Sequence, residues 1–93
     1  MTNANAWYVY FMRCNDNSLY AGITTDIPRR LHQHNNTKLG AKYTRARRPV
    51  ELVYSEQVMS KSIAAKREYF LKTLSKSQKE KLISKFTCSS IIA

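Results

Sequence analysis

Two short runs rich in aromatic and β-branched residues, separated by a polar turn, most constrain how this chain can fold. The first run is Trp7 to Cys14, the second is Leu19 to Thr24, and Asn15-Asp16-Asn17-Ser18 lies between them. Asn and Asp favour such turns because their side chains bond to nearby backbone and tolerate left-handed conformations. The pattern predicts an antiparallel β-hairpin. Period-two alternation places Tyr8, Tyr10 and Met12 on one face and Val9, Phe11 and Arg13 on the other.

The segment after the hairpin has the signals of a helix start. Asp26 suits an N-cap, and Pro28 suits the first turn, where its missing N–H costs little. A helix is therefore predicted from Ile27 to about His34. The later run Val50 to Val58 is rich in β-branched residues and predicts a third strand.

Two further helices are predicted in the last third of the chain. Ser60 is expected to cap a helix over residues 61–74, whose buried stripe is predicted to be Ile63, Phe70, Leu71 and Leu74. Ser75-Lys76-Ser77-Gln78 has the form of a capping box, so a separate helix is expected to begin there and to reach Phe86. The fold class that follows is α/β, a small three-stranded antiparallel or mixed sheet flanked by helices.

Length and charge limit the function classes. The 93 residues suit one domain, predicted over 5–86, with residues 87–93 as a tail. The formal charge of +10 predicts a polyanionic partner. No apolar run is long enough to span a bilayer, and the N-terminus is not typical of a secretory signal. Cys14 and Cys88 lie far apart without metal-ligand spacing, which favours reduced thiols in a cytoplasmic protein.

A small set of polar residues has the spacing of a site. Arg30 and His34 are four apart, hence one turn apart on the same helix face. Glu68 lies mid-helix after Ala64 and Ala65, which leave room above its carboxylate because helical side chains lean toward the N-terminus. Two readings of Glu68 remain open: an exposed residue paired with Lys61 or Lys72, or a functional carboxylate.

The ordered pattern resembles the GIY-YIG nuclease domain. It comprises Tyr8-Val9-Tyr10, then Tyr20-Ala21-Gly22, an arginine and a histidine four apart, and a later helical glutamate. The likeness extends from about residue 7 to 75 and is strongest to the small stand-alone bacterial UPF0213 group. The segments 40–45 and 48–54 also resemble the branch of the superfamily that cuts DNA junctions.

The resemblance implies a set of catalytic residues, and these are Tyr10, Tyr20, Arg30, His34 and Glu68. It implies that Gly22 is the motif glycine and that Glu68 holds one Mg²⁺ or Mn²⁺. Tyr8 and Ala21 stand where glycine and Ile or Val are usual in the family. The lysine that follows the second motif in some members has no counterpart at Ile23 or Thr24, so the general base is left open.

These residue types suit phosphodiester hydrolysis. A single carboxylate suits a hard cation that keeps most of its waters. The Arg30 guanidinium suits developing phosphate charge. Tyr10 can orient a water, and it can deprotonate one only if its pKa falls well below the usual value near 10 for a phenol. Tyr20 and His34 are candidates to share or relay the proton, and the alternative for both tyrosines is aromatic packing across the strands.

The most basic segment follows the first helix. Its candidate nucleic-acid contacts are Lys38, Lys42, Tyr43, Arg45, Arg47 and Arg48. They suit phosphates, with Tyr43 stacking on a base, although a solvated loop is the alternative. Lys76, Lys79, Lys81 and Lys85 are either a second phosphate track or a polar face.

The predicted function is a metal-dependent endonuclease acting on DNA in repair or recombination, with structure rather than sequence preference. The alternative is a non-catalytic nucleic-acid-binding module on the same scaffold, and a weaker one is an RNA- or ribosome-associated protein. DNA is favoured over RNA as the partner, no membrane is expected, and the chain is expected to be a monomer or weak dimer.

Overall fold

The structure is a computed structural model that describes residues 6–92, with side chains described as far as Thr87. Three strands and four helices follow one another along the chain. They are β1 (Trp7–Arg13), β2 (Leu19–Thr24), α1 (Ile27–Asn36), α2 (Lys42–Arg45), β3 (Glu51–Val58), α3 (Lys61–Thr73) and α4 (Lys76–Ile92). None of the helices within this range is both long enough and apolar enough to cross a bilayer.

The sheet confirms the predicted hairpin and third strand. Its order is β2-β1-β3, so β1 is central and pairs antiparallel with both neighbours. The sheet is therefore antiparallel throughout, and β2 lies at one edge. In the hairpin register Tyr10 stands opposite Gly22. Asn17 takes the left-handed backbone, with φ of 69°, that the Asn-rich turn requires.

Alternation along β1 sends its side chains to two different environments. Val9 and Phe11 belong to an apolar cluster with Leu71 and Ile83, from the two long helices. Tyr10 and Met12 lie on the opposite face in a smaller cluster with Val50, covered partly by Leu31 of α1. Both faces of this small sheet are covered, which is why consecutive residues of β1 are buried.

The predicted helix caps are confirmed. The side chain of Asp26 accepts the N–H of Arg29, and the Ser60 hydroxyl accepts the N–H of Ile63. Ser75 and Gln78 form a reciprocal capping box, with bonds of 2.9 and 3.2 Å. Each bond satisfies a backbone N–H that has no acceptor inside its own helix.

The predicted buried stripe of α3 is partly wrong. Ile63 and Phe70 are 48% and 50% exposed, whereas Ala64 and Leu71 are fully buried. The members of each pair are seven residues apart in sequence. Sequence spacing therefore cannot predict which of two neighbouring helix faces is buried. The choice is made by close packing of small Ala64 on the sheet. Leu74 is half-buried, as part of the apolar cluster.

Two other segments differ from their predictions. The basic segment contains the short helix α2, and α4 continues to Ile92, beyond its predicted end at Phe86. The division into a domain over 5–86 and a tail therefore stays a prediction, and Asn5 lies outside the described residues. Cys14 is a buried free thiol, and the Cys88 side chain lies outside the description.

Candidate active site

A buried hydrogen bond between the hairpin and α1 forms the centre of the site. Tyr10 points from the middle of β1, and His34 lies in the last turn of α1. The Tyr10 hydroxyl and His34 Nε2 are 3.0 Å apart. The two residues are 1% and 0% exposed. Polar groups buried this deeply are stable only when they are hydrogen-bonded, so the bond determines where both rings sit.

Two glycines make room for this pair. A Cβ on Gly22 would lie 2.4 Å from the Tyr10 hydroxyl oxygen, so only glycine lets the phenol cross β2. A Cβ on Gly40 would lie 2.7 Å from the carbonyl oxygen of Gln33 and 2.8 Å from the Cα of His34. Each glycine thus serves close approach rather than flexibility, because neither has a positive φ.

Thr44 is a partner of His34 that the sequence reasoning missed. Its Oγ1 lies 2.8 Å from His34 Nδ1 and 2.9 Å from the carbonyl oxygen of Ala41. Thr44 is fully buried although both its neighbours along the chain are exposed. No sequence signal separates it from a surface threonine, because its burial depends on α2 folding back over α1.

The contacts of His34 Nδ1 do not define one tautomer. The Thr44 hydroxyl donates to the carbonyl oxygen of Ala41 at 2.9 Å, which leaves its oxygen to accept from Nδ1–H at 2.8 Å. The backbone N–H of Ala41 instead points at Nδ1 from 3.3 Å and requires it as an acceptor. His34 Nε2 accepts from the Tyr10 hydroxyl in the first tautomer and donates to it in the second, and the same bond joins the two rings in both.

Burial holds both rings neutral near pH 7. It raises the pKa of Tyr10 to about 12, against the opposing hydrogen-bonding effect and charge of Arg30. Burial also lowers the pKa of His34 to about 4, with further lowering by the positive charges of Arg30 and Arg48. The low pKa that base action by Tyr10 requires is therefore not a property of this buried phenol by itself.

Arg30 and Glu68 reach the same phenol from two different helices. The Arg30 guanidinium lowers the pKa of Tyr10, whereas the carboxylate of Glu68 raises it. Arg30 Nη1 donates to Gln33 Oε1 and to the carbonyl oxygen of Leu39, both at 2.9 Å. Glu68 is half-buried, and its Oε2 lies 3.6 Å from Lys72 Nζ. Glu68 therefore pairs with Lys72 and also acts electrostatically on Tyr10.

The remaining motif residues lie next to this centre. The Tyr20 ring centroid is 5.2 Å from that of His34 and 6.5 Å from that of Tyr10. Tyr8 is half-buried, and Val9 and Ala21 are buried on the apolar face of the sheet, where they serve the scaffold.

Tyr43 extends the aromatic group away from the centre. Its ring stacks on Tyr20 with centroids 6.0 Å apart, and the Arg47 guanidinium lies 3.8 Å from its centroid. Stacking Tyr43 on a base would compete with these two contacts. Its predicted role in base stacking stays a prediction.

The basic segment divides into cations with internal partners and cations without them. Arg48 donates to the carbonyl oxygens of His34, at 2.6 Å, and Thr37, at the C-terminal end of α1. Arg47 donates to Asp16 Oδ2 at 3.0 Å. The exposed side chains of Lys38, Lys42 and Arg45 have neither a hydrogen bond nor an ion pair with the residues whose side chains are described.

Glu68 fits a single-ligand metal site. Among residues 6–87, no three His, Cys, Asp or Glu side chains gather as a protein cage. A single carboxylate suits Mg²⁺ or Mn²⁺, since these ions keep several waters and bind substrate phosphates. The donor set is compatible with such a cation and gives no basis for a soft metal, which would need thiolates or several imidazoles.

Comparisons with known proteins identify the family of this chain. The model of the GIY-YIG catalytic domain matches residues 6–81. The chain belongs to the GIY-YIG family, whose members are endonucleases that generally use a divalent metal and act on nucleic acid.

Its relatives include small proteins of the UPF0213 group. The chain is 51% identical to a UPF0213 protein of Desulfotalea psychrophila over 88% of this chain and 74% of that protein. It is 57% identical to one of Staphylococcus haemolyticus, over 82% and 92% of the respective chains.

Two solution NMR structures share the fold. One is a UPF0213 protein of Bacillus halodurans, with 46% identity, a TM-score of 0.54, and coverage of 85% of this chain and 83% of that one. The other is a protein of E. faecalis, with 41% identity, a TM-score of 0.62, and coverage of 95% and 93%.

Proposed function

We propose that this chain is a metal-dependent endonuclease that hydrolyses phosphodiester bonds in DNA. One observation supports it most: Arg30 and His34 from α1 and Glu68 from α3 act on one buried phenol, Tyr10. Tyr10, the Arg30–His34 pair and Glu68 are separated widely in sequence and have no shared role in the apolar core. Their meeting beside a strongly positive surface suits a phosphate substrate.

Arg30 binds the phosphate in this proposal. Arg30 bonds to Gln33 and Leu39 through Nη1 and also acts on the Tyr10 hydroxyl, and the other N–H groups of the fork can donate to phosphate oxygens. A planar donor fork of this kind matches phosphate geometry. The bonds to Gln33 and Leu39 hold the guanidinium in place before substrate arrives, which reduces the ordering needed in the transition state.

Glu68 is the residue that holds the cation. When bound, a divalent cation lowers the pKa of nearby water and phenol groups and neutralises charge on the phosphate. Tyr10 orients the attacking water, and its pKa of about 12 must fall before it can accept a proton. Arg30 favours the phenolate through its hydrogen-bonding effect and its charge, so the site already opposes the effect of burial.

Exposed cations support contacts that depend on the structure of the nucleic acid rather than on its sequence. Lys38, Lys42 and Arg45 are exposed and suit backbone phosphates, which carry little sequence information. We propose a role in DNA repair or recombination in the cytoplasm, with DNA favoured over RNA. One site per chain suits a single nick, which is compatible with a monomer or weak dimer.

A cleavage assay tests the proposal. Purified protein would be incubated with branched, nicked and single-stranded DNA in Mg²⁺, Mn²⁺ or EDTA, beside the variants Arg30→Ala and Glu68→Gln. Each variant should lose cleavage about 100- to 1000-fold, the effect typical of removing a group that stabilises the transition state. DNA affinity measured in EDTA should change less than about tenfold, because many phosphate contacts share it.

Matched substitutions separate this effect from general loss of charge. Arg29→Ala removes an exposed arginine from the same helix, and Glu51→Gln removes an exposed carboxylate. Both should retain cleavage. Absence of metal-dependent cleavage of every DNA and RNA substrate by the unmodified protein would contradict the enzyme proposal. The unpaired cations would then support the alternative, a binding module on the same scaffold.

A further inference from the structure

A cleft lies along the outer edge of β2, next to the Tyr10 site. It has a volume of about 260 Å³, and its lining residues are Leu19, Tyr20, Ala21, Tyr43, Lys72 and Lys79. One wall is aromatic and continues through Tyr20 to His34, whose ring centroids are 5.2 Å apart. The other wall carries two ammonium groups and no carboxylate.

The two lysines come from different helices and differ from their neighbours. Lys72 lies in the last turn of α3, and half-buried Lys79 lies in the first turn of α4. Lys76 instead donates to the carbonyl oxygen of Asn17 at 2.8 Å. Lys81 lines a separate groove between α3 and α4. The sequence predicts that the α4 lysines are either a second phosphate track or a polar face. Of these lysines only Lys79 lines this cleft, so only Lys79 is a candidate phosphate contact here.

Lys72 connects the cleft to the proposed metal ligand. Its ammonium lies 3.6 Å from Glu68 Oε2, in a pair whose lysine side chain is 55% exposed. A single contact of this length to an exposed ammonium is weak, although the Glu68 side chain is only 24% exposed, so a phosphate entering the cleft competes for the ammonium. Glu68 is the same carboxylate that reaches Tyr10 electrostatically.

We propose that the Lys72–Lys79 cleft binds a backbone phosphate of the nucleic-acid strand, and that this phosphate draws Lys72 away from Glu68, freeing the carboxylate for the divalent cation. The inference rests on the proposed function, because the phosphate in the cleft belongs to the same strand as the phosphate that is cleaved. Strand binding and cation binding then favour each other, and the effect is reciprocal because it is a coupling free energy between two sites. Free protein holds its cation weakly until a strand is present.

DNA binding in EDTA tests the phosphate site without any need for cleavage. The anisotropy of a fluorescein-labelled single strand would be measured against salt for Lys72→Gln, Lys79→Gln and the control Lys81→Gln. The two cleft variants should lose affinity about three- to tenfold and reduce the salt slope by about one each. Lys81→Gln should change affinity less than about twofold. Equal behaviour of all three variants would overturn the phosphate site.

Mn²⁺ binding, followed by electron paramagnetic resonance, tests the release of Glu68. Without DNA, Lys72→Gln should bind Mn²⁺ about two- to fivefold more tightly than the unmodified protein, whereas Lys79→Gln removes the same charge without an ion pair and should change little. Adding the strand should raise Mn²⁺ affinity in the unmodified protein and much less in Lys72→Gln. Identical Mn²⁺ binding by both variants would overturn the coupling.

A third measurement identifies the source of the phosphate. Inorganic phosphate should perturb the amide resonances of Leu19 and Ala21 only at millimolar concentrations. The DNA strand should perturb them at concentrations near the dissociation constant measured by anisotropy. Saturation of the cleft by micromolar inorganic phosphate would overturn the assignment to nucleic acid. If neither the unmodified protein nor any variant cleaves DNA, but strand binding still depends on Lys72 and Lys79, the endonuclease proposal is contradicted and the phosphate site is not.

Discussion

The two faces of the sheet are built from neighbouring residues of one strand, yet they have different contents. Val9 and Phe11 face a cluster of aliphatic and aromatic side chains from α3 and α4. Tyr10 faces His34, which in turn bonds to Thr44, so three polar side chains are fully buried under α1 and α2. The apolar face provides the stability that lets the polar face bury groups useful for chemistry.

The two faces are also specified in different ways. An apolar core tolerates exchanges that conserve volume, since dispersion and burial have little directionality. A polar core is specified by geometry, because each buried donor or acceptor needs a partner. Within the part of the chain whose side chains are described, every buried side-chain nitrogen and oxygen has a hydrogen-bond partner. The site is therefore ordered before any substrate or cation binds.

Substitution of adjacent residues of β1 provides the sharpest test of this contrast. Phe11→Ala should reduce the free energy of unfolding by about 3–5 kcal/mol, because it opens a cavity in the apolar cluster. Tyr10→Phe should cost only about 1–3 kcal/mol, the effect of leaving buried His34 Nε2 without its hydrogen-bond partner, but it should abolish cleavage. Urea unfolding and the cleavage assay measure the two effects. A larger stability loss for Tyr10→Phe than for Phe11→Ala would contradict the division of roles.

The pH dependence of stability tests the polar face alone. The pKa of His34 is lowered from 6.5 to about 4, so its neutral form stabilises the fold fully above pH about 6.5. This contribution, about 2–3 kcal/mol, should disappear as pH falls toward 4. Urea unfolding from pH 7 to 4 should show a smaller slope for His34→Gln than for the unmodified protein. Exposed His32 offers the control, since His32→Gln should leave the slope unchanged.

The close contact between the hairpin strands predicts an intermediate effect. In Gly22→Ala the new methyl group would lie 2.4 Å from the Tyr10 oxygen, so the phenol must move away from His34. We expect a stability loss of about 1–2 kcal/mol, together with strongly reduced cleavage. The ¹⁵N resonances of His34 should report the change in its hydrogen bond. Unchanged His34 resonances would show that the register does not control the Tyr10–His34 pair.

The smallest effects should separate the two kinds of arginine beside the polar face. Arg48→Gln should cost about 1–2 kcal/mol of stability, because its guanidinium bonds to carbonyl oxygens at the end of α1. Exposed Arg45→Gln should leave stability within about 0.5 kcal/mol and should reduce DNA affinity and its salt slope. Thermal unfolding and anisotropy titrations measure both. The reverse pattern would mean that Arg48 rather than Arg45 contacts the nucleic acid.

Much of the fold could be predicted because its signals are local. The Asn-rich turn, the caps at Asp26 and Ser60, and the box at Ser75 and Gln78 each involve residues at most a few positions apart. The α/β class and the three-stranded sheet are confirmed. The ordered polar motif identified the family, which the domain match confirms. The catalytic roles of the motif residues stay predictions.

The sequence by itself determined the hairpin, the helix starts and the order of the polar residues, since each depends on near neighbours along the chain. Only the tertiary structure decided which face of α3 is buried, that Thr44 holds His34, and that burial rather than Arg30 dominates the pKa of Tyr10. It also brought Lys72 and Lys79 to one cleft. The physical reason is that burial and hydrogen bonding join residues from separate elements, and local spacing contains no information about how those elements dock.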